Sequence, residues 1–402
     1  MVVQISRLKK IYSIITLSFL LFAMTCLYSE VNTRYFYLAV FISGITTILN
    51  FLNLRNLSRL VSSKYFIWLV TIFAMYNLWG VLFTNGSSKF PFAYINMHFI
   101  IAVEIISCFI GLDTNEVVEK ICDVSIISSI MSIIYVVINE KSMIMLGNVR
   151  IGTSASGNVD VFGMYLGIMS IFILYRAMMQ QKKIYYLLYG VQVVFMLLTG
   201  SKQALIYIIV AFCAFTIYTS KKKAYKYIIA IAVAIAFIYA IFNVPVLYEL
   251  AGHRIQIMLV SFGFSIDGIE ASRSTDLRMD MIRKAFDLFW DNPILGGGYG
   301  YFAIHSGFNV YSHNTYTEIL VSYGLFGFIL YYLYFFKTTT RYLFLKNRSK
   351  EAQLFLTIMI SVLLGDTARI TFSQTALNYV LLFLAVYVLT NERLIEKYNC
   401  DG

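Results

Sequence analysis

Proline, cysteine and charge are all scarce in this chain of 402 residues. It contains three prolines and five cysteines, and 13% of its residues are charged. So little proline argues against long disordered linkers, which are commonly rich in that residue. The cysteines lie mostly inside hydrophobic runs and never occur in a Cys-x-x-Cys spacing. The pattern therefore suggests neither a metal site nor an exported disulfide framework.

Apolar residues are abundant instead and make up 59% of the sequence. They are collected in runs of roughly 16–22 residues, the length that crosses the hydrocarbon core of a bilayer. We therefore predict an all-α polytopic membrane protein of about twelve transmembrane helices. The predicted spans are residues 11–28, 35–52, 65–84, 92–111, 121–138, 159–178, 184–199, 203–219, 225–242, 314–336, 352–371 and 376–390.

The distribution of basic residues between the spans predicts the orientation. With the N-terminus in the cytoplasm, the inner segments hold 21 of the 32 Lys and Arg residues, as the positive-inside rule requires. Both termini are then cytoplasmic. The net charge of +11 follows from this bias and from anionic inner-leaflet lipid, so no nucleic-acid partner is inferred. The first span follows a basic segment and lacks a small-residue cleavage site, so we expect a retained signal anchor.

We expect residues 1–402 to form a single integral membrane domain that contains one long extracytoplasmic loop, residues 243–313, between the ninth and tenth spans. A loop of this length in a compact protein is usually functional. Within it, Ser274-Thr275-Asp276 predicts the start of a helix that runs to about Trp290, where Asp291-Asn292-Pro293 ends it.

Arg278 interrupts the apolar stripe of that predicted helix. The stripe consists of Leu277, Met281, Ile282, Ala285, Leu288 and Phe289. Burying an unpaired guanidinium costs several kcal/mol, so a carboxylate or an anionic ligand should compensate it. Two interpretations remain open: a structural ion pair with Glu318 or Asp366, or a clamp on phosphate oxygens.

Three further features of the loop and its surroundings have a structural and a functional interpretation. The glycines between Gly296 and Gly300 lack the strand and helix context of a nucleotide loop, and a plain turn is favoured. His313 precedes a capping box formed by Thr315 and Glu318, and is either an interfacial hydrogen-bonding residue or a functional one. Lys202 begins the eighth span on the outer side, where it either snorkels or adds a positive charge to a site.

These residues resemble the motif of the O-antigen ligase and O-antigen polymerase superfamily. The resemblance rests on Arg278, Asn292-Pro293, Gly296–Gly300, His313-Asn314, Glu318, Gly324 and Gly327, which cover about 55 residues. Two local patches, 199–205 and 152–163, are also similar; in the first, Lys202 stands where the family usually has arginine, and in the second, Asn158 matches a frequent asparagine. Ile282 stands where the family often has tryptophan.

The resemblance implies a GT-C-like fold and metal-independent transfer of a glycan from an undecaprenyl-diphosphate donor to an acceptor hydroxyl, with no cofactor. It implies that Arg278 and Lys202 bind the departing diphosphate and that His313 orients or deprotonates the acceptor. The residues expected to contact substrate are Arg273, Asn314, Asn158, Tyr299 and Glu318. The loop aromatics could stack on sugars, although packing of the loop on the spans is favoured for at least half of them.

Within this resemblance we favour a polymerase of O-antigen or capsular repeat units at the outer face of a bacterial cytoplasmic membrane. The expected partners are the lipid-linked donor and acceptor oligosaccharides, the bilayer and a chain-length regulator. An O-antigen ligase that transfers polymer to a lipid acceptor is the alternative in the same family. A flippase or transporter of lipid-linked oligosaccharide is the alternative from another class, but such proteins commonly show internal repeats and mid-span charges. No convincing repeat is found, although Glu104 lies within a predicted span.

Overall fold

Helices make up the regular structure of this protein. The computed structural model describes residues 2–27, 33–83, 91–110, 112–146, 150–219, 273–343, 349–372 and 377–388, together with residues 235, 239–245, 248–253, 256, 260 and 266. No strand occurs within these ranges, which confirms the all-α prediction.

The helices follow one another with short connections over most of the described chain. In order they are α1 (Val2–Cys26), α2 (Thr33–Phe51), α3 (Leu54–Val61), α4 (Lys64–Leu82), α5 (Phe92–Ser107), α6 (Thr114–Asn139), α7 (Lys141–Leu146), α8 (Thr153–Ser156), α9 (Val159–Met178), α10 (Ile184–Thr199), α11 (Lys202–Thr219), α12 (Arg273–Phe289), α13 (Tyr301–His305), α14 (Thr315–Leu343), α15 (Lys350–Asp366) and α16 (Leu377–Val388). A π-helical turn spans Tyr248–Gly252.

Five of the described helical stretches are long and apolar enough to cross a membrane. They are Arg34–Phe51, Lys64–Leu82, Asn115–Asn139, Val159–Met178 and Thr315–Tyr342. Shorter apolar helices lie at Ile11–Cys26, Phe92–Ser107, Ile184–Thr199, Gln203–Thr219 and Leu377–Val388. Most of the predicted span 225–242 lies outside the described residues, so the count of twelve stays a prediction.

The described chain forms two compact units. The first consists of residues 1–50, 112–257 and 348–361, and the second of residues 51–111, 258–347 and 362–402. Helix α15 contributes residues to each unit. The expectation of a single domain stays a prediction.

Helix α9 is the centre of the first unit and is buried over almost its whole length. Helices α6, α10 and α11 pack around it. Two glycines allow α11 to approach closely: a Cβ atom on Gly163 would lie 2.4 Å from Cβ of Ser201, and one on Gly167 would lie 2.5 Å from the ring of Tyr207. Small residues at such positions are typical of helix contacts in membranes.

Aromatic side chains fill the core of the second unit. Trp68 of α4 donates from Nε1 to the carbonyl oxygen of Leu330 in α14 at 2.7 Å, and Trp79 of α4 donates to that of Leu295, also at 2.7 Å. The two bonds satisfy the indole N–H groups, as buried tryptophans require. Helix α12 belongs to the same unit and packs against α14.

Helix α14 is broken at Gly324, and a glycine turn fills the break. Gly324 has φ 64° and ψ −169°, a conformation open essentially to glycine alone. The amides of Gly297 and Gly298 donate to the carbonyls of Val321 and Ser322 at 2.9 and 3.0 Å. In return, the amide of Leu325 donates to the carbonyl of Pro293 at 2.9 Å. Backbone N–H and C=O groups that lose their helical partners at the break are thus bonded to the turn, as a helix in a bilayer requires.

Candidate active site

Helix α12 has an apolar face and a charged face, as its sequence predicts. Its buried side chains are Met281, Ala285, Leu288 and Phe289, which pack with Phe302 and Val321. Leu277 was expected on this face but is 39% exposed, so that part of the prediction is wrong and the stripe starts one turn later. The helix ends at Phe289, as expected, but begins at Arg273, which places the predicted cap residues inside its first turn.

Arg278 lies on the apolar face of α12 and is partly exposed. Neither carboxylate named as a structural partner pairs with it. Glu318 accepts from the backbone N–H of Ser312 at 2.8 Å. Asp366, in the part of α15 that belongs to the same unit, accepts from the hydroxyl of Tyr332 at 3.0 Å. Within the described ranges Arg278 forms no ion pair, so neither proposed structural partner compensates its charge.

The start of α14 is capped by Asn314, which corrects the predicted capping box. Asn314 Oδ1 accepts from the backbone N–H of Thr317 at 3.1 Å, so the cap lies one residue before Thr315. The carboxylate of Glu318 does reach backwards, but its bond goes to the amide of Ser312. Asn314 and Glu318 therefore fix the backbone on both sides of His313, and their expected contact with substrate stays a prediction.

His313 sits between these fixed residues with its backbone at φ 55°, in the left-handed region. Its ring lies 4.4 Å from the ring of Tyr311, centroid to centroid. Partial burial, together with the positive charges of Arg278 and Arg369, lowers the pKa of His313 to about 4. The imidazole is therefore uncharged at neutral pH, with one ring nitrogen able to accept a proton.

Arg369 is a charged neighbour of His313 that the sequence interpretation missed. It lies in the turn that follows α15, and its carbonyl oxygen accepts from the hydroxyl of Thr315 at 2.5 Å. Its charge reaches the ring of His313. One signal could have found it: Arg369 is among the few basic residues at a predicted outer end of a span, against the positive-inside tendency.

The glycine run does not offer a phosphate loop. Gly296, Gly298 and Gly300 all have positive φ, as in a turn, and the amides of Gly297 and Gly298 are already used by α14. The predicted plain turn is thereby confirmed. The backbone of this turn approaches Gly324 closely, because a Cβ on Gly324 would lie 2.2 Å from the carbonyl oxygen of Ile294.

The aromatic residues of the loop differ in their surroundings. Phe302 is fully buried and stacks on Phe308 with ring centroids 6.2 Å apart, which fits the favoured packing role. Tyr299 is partly exposed, and burial together with the charge of Glu318 raises its pKa. Tyr299 thus lies on the side of the loop that faces the start of α14, and its contact with substrate stays a prediction.

The two local patches of the first unit pack against each other. Arg150 donates from Nε to the carbonyl oxygen of Thr199 at 2.7 Å and forms an ion pair with Asp160. Asn158 caps α9, because its side chain accepts from the backbone N–H of Asp160 at 2.9 Å. That cap is the role the structure gives Asn158, and its expected contact with substrate is untested.

Lys202 and Arg273 are placed only through their backbones. Helix α11 begins at Lys202 and helix α12 begins at Arg273. The side chains of both residues lie outside the described part of the structure, so their predicted contacts with diphosphate and substrate stay predictions.

Comparison with known proteins agrees with the resemblance noted in the sequence. The family model described as O-antigen ligase matches residues 185–332. This range contains Lys202, Arg278, Tyr299 and His313, and it ends before Arg369. The match confirms the relationship with the O-antigen polymerase and ligase superfamily over that range. A search of curated proteins found no match to the chain.

Proposed function

We propose, from the O-antigen ligase match over residues 185–332, that this chain is a membrane glycosyltransferase of polysaccharide synthesis. Its substrates would be oligosaccharide repeat units linked to undecaprenyl diphosphate, which it joins into O-antigen or capsular polysaccharide. The observation that carries the proposal is an uncharged imidazole, His313, beside a guanidinium, Arg278, that has no carboxylate partner among the described residues.

The chemistry divides between these two side chains. The acceptor hydroxyl oxygen bonds to the anomeric carbon of the donor sugar, and the bond from that carbon to the phosphate oxygen breaks. Its electron pair leaves with undecaprenyl diphosphate, whose growing negative charge the guanidinium of Arg278 stabilises. The hydroxyl proton passes to the free ring nitrogen of His313. Because a fixed cation serves the leaving group, we propose that the transfer needs no metal.

The setting of the site follows the sequence interpretation. We propose that it lies at the outer face of a bacterial cytoplasmic membrane, where lipid-linked repeat units and a chain-length regulator would meet it. Lys202 keeps its proposed role as a further positive group for the diphosphate.

Transfer by purified protein tests this function directly. The full chain in detergent is given repeat-unit oligosaccharide on undecaprenyl diphosphate, and the glycans are separated by length. A ladder of longer lipid-linked glycans supports a polymerase. A product that appears only when an acceptor lipid without diphosphate is added indicates the ligase. Unchanged substrate, under conditions in which a known glycan polymerase works, would refute both activities.

A further inference from the structure

The turn after α15 is bonded to the first residues of α14, beside His313. Asn314 Nδ2 donates to the carbonyl of Thr367 at 2.9 Å, and the hydroxyl of Thr315 donates to that of Arg369 at 2.5 Å. The backbone N–H of Thr371 donates to the hydroxyl of Thr315 at 3.0 Å. Three hydrogen bonds, one of them to Arg369 itself, therefore join this turn to the two residues that directly follow His313.

Hydrogen bonds to the buried carboxylate of Asp366 also hold this turn in place. Asp366, which is fully buried, accepts from the hydroxyls of Tyr332 and Thr371. The hydroxyl of Thr371 in turn lies 3.3 Å from that of Thr315. A side chain that must hold a ligand needs this kind of rigid support, because loosely held groups lose entropy on binding.

The side chain of Arg369 is partly exposed, and its charge acts on the same imidazole as that of Arg278. The positive charges of two guanidinium groups thus act on one uncharged ring. A lone phosphate needs one such group, whereas a diphosphate has two phosphoryl groups that can each accept from the fork of an arginine.

We propose that Arg369 binds the donor diphosphate together with Arg278, so that each guanidinium holds one phosphoryl group. This inference rests on the proposed function and names a residue beyond the matched range 185–332. A bound diphosphate offsets both positive charges, which makes His313 a stronger base once the donor is in place and a weaker one in its absence.

Binding of undecaprenyl diphosphate to the full chain tests the inference without requiring transfer. The melting temperature in detergent is followed against ligand concentration for wild type, Arg369→Gln and Arg369→Lys. Loss of a charge-assisted pair of hydrogen bonds should raise the concentration needed for stabilisation about 10- to 100-fold in Arg369→Gln, and less in Arg369→Lys. Arg283→Gln is the matched control, since Arg283 is exposed on the polar face of α12 and pairs with Asp280.

Each outcome decides something. Stabilisation of Arg369→Gln at the wild-type concentration would overturn the inference even if the protein proves to be a polymerase. A wild type that binds undecaprenyl diphosphate through Arg369 but never extends a glycan would remove the proposed function and leave the binding site standing. Should Arg369→Gln fail to accumulate, Arg369→Lys decides: binding equal to wild type contradicts a fork-to-phosphate contact, and weaker binding supports it.

Discussion

The two units differ in the partners of their charged side chains. In the first unit the guanidinium groups of Arg150 and Arg176 pair with Asp160 and Asp123, and Glu140 accepts from the amides of Gly152 and Ser154. In the second unit, the one ion pair within the described residues lies on the exposed face of α12, between Arg283 and Asp280.

We propose that this difference separates charges that hold the fold from charges that bind a ligand. A guanidinium that is already paired with a carboxylate is less available to an anionic substrate. Arg278 and the uncharged His313 have the opposite character, since the nearby carboxylate of Glu318 is committed to a backbone amide. The residues of our proposed transfer step, Arg278 and His313, therefore lie in the second unit, whereas Arg150 and Arg176 of the first unit are paired with carboxylates.

The largest expected effect tests that contrast by removing one arginine from each unit. Arg278→Ala should lower the rate of polymer formation about 10²- to 10³-fold, because a fixed positive group for the leaving diphosphate is lost. Arg150→Ala breaks an ion pair of partly exposed side chains, which is typically worth about 0–1 kcal/mol, so the rate should fall no more than about fivefold. Initial rates in detergent, at equal protein levels, make the measurement. Equal losses in the two variants would contradict the proposed distinction between ligand-binding and fold-stabilising charges.

A second test concerns the glycine turn that holds the site in the second unit. Gly324→Ala forces a Cβ to within 2.2 Å of the carbonyl oxygen of Ile294, at a backbone conformation reserved for glycine. Destabilisation by about 3–4 kcal/mol is expected, with the protein largely lost from the membrane. Gly307→Ala is the matched control: its φ is 82°, but no atom lies near its Cβ position, so about 1 kcal/mol is expected. Protein levels and melting temperatures measure both, and similar losses would show that φ alone decides.

Sequence reasoning reached parts of this architecture and missed others for physical reasons. Helical periodicity identified the stripe around Ala285 and Phe289, because local spacing decides which face of one helix is apolar. It missed Arg369, since that residue comes to His313 through hydrogen bonds between segments more than 50 residues apart. The predicted cap, Thr315, is one residue later than the observed cap, Asn314, because Glu318 accepts a hydrogen bond from Ser312 and not from the cap residue.

The acidity of His313 gives a third prediction. Its pKa of about 4 means that the base form persists to low pH, so kcat/KM should stay level from pH 7 to about 5. Below pH 4 it should fall about tenfold per pH unit, because protonation then removes the base. An imidazole with the ordinary pKa of 6.5 would lose activity about 2.5 pH units earlier as the pH falls.

The same pKa shift of His313 also affects the stability of the folded protein. The folded state lowers the pKa of His313 below that of the unfolded chain, so protonation favours unfolding. The stability contributed by the neutral ring is lost as the pH falls from 6.5 through 4.

The pH profile of kcat/KM should also respond to the neighbouring charge. Arg278→Gln should move the acid limb of that profile to higher pH, because it removes a positive charge near the ring. His305→Gln, on exposed His305 of α13, is the control and should leave the limb in place. A limb near 6.5 in the wild type would contradict the charged surroundings of His313.

The smallest expected effect tests the contrast from the side of the first unit, at the start of α11. If Lys202 is a further positive group for the diphosphate, Lys202→Ala should lower the rate about tenfold, which corresponds to about 1.4 kcal/mol of lost stabilisation. Lys202→Arg keeps the charge and should retain most of the activity. A snorkelling interfacial lysine predicts instead that both variants work like wild type. A tenfold loss in Lys202→Ala would show that the first unit also contributes a substrate-binding charge. Wild-type rates in both variants would leave Arg278 and Arg369, both in the second unit, as the proposed diphosphate-binding charges.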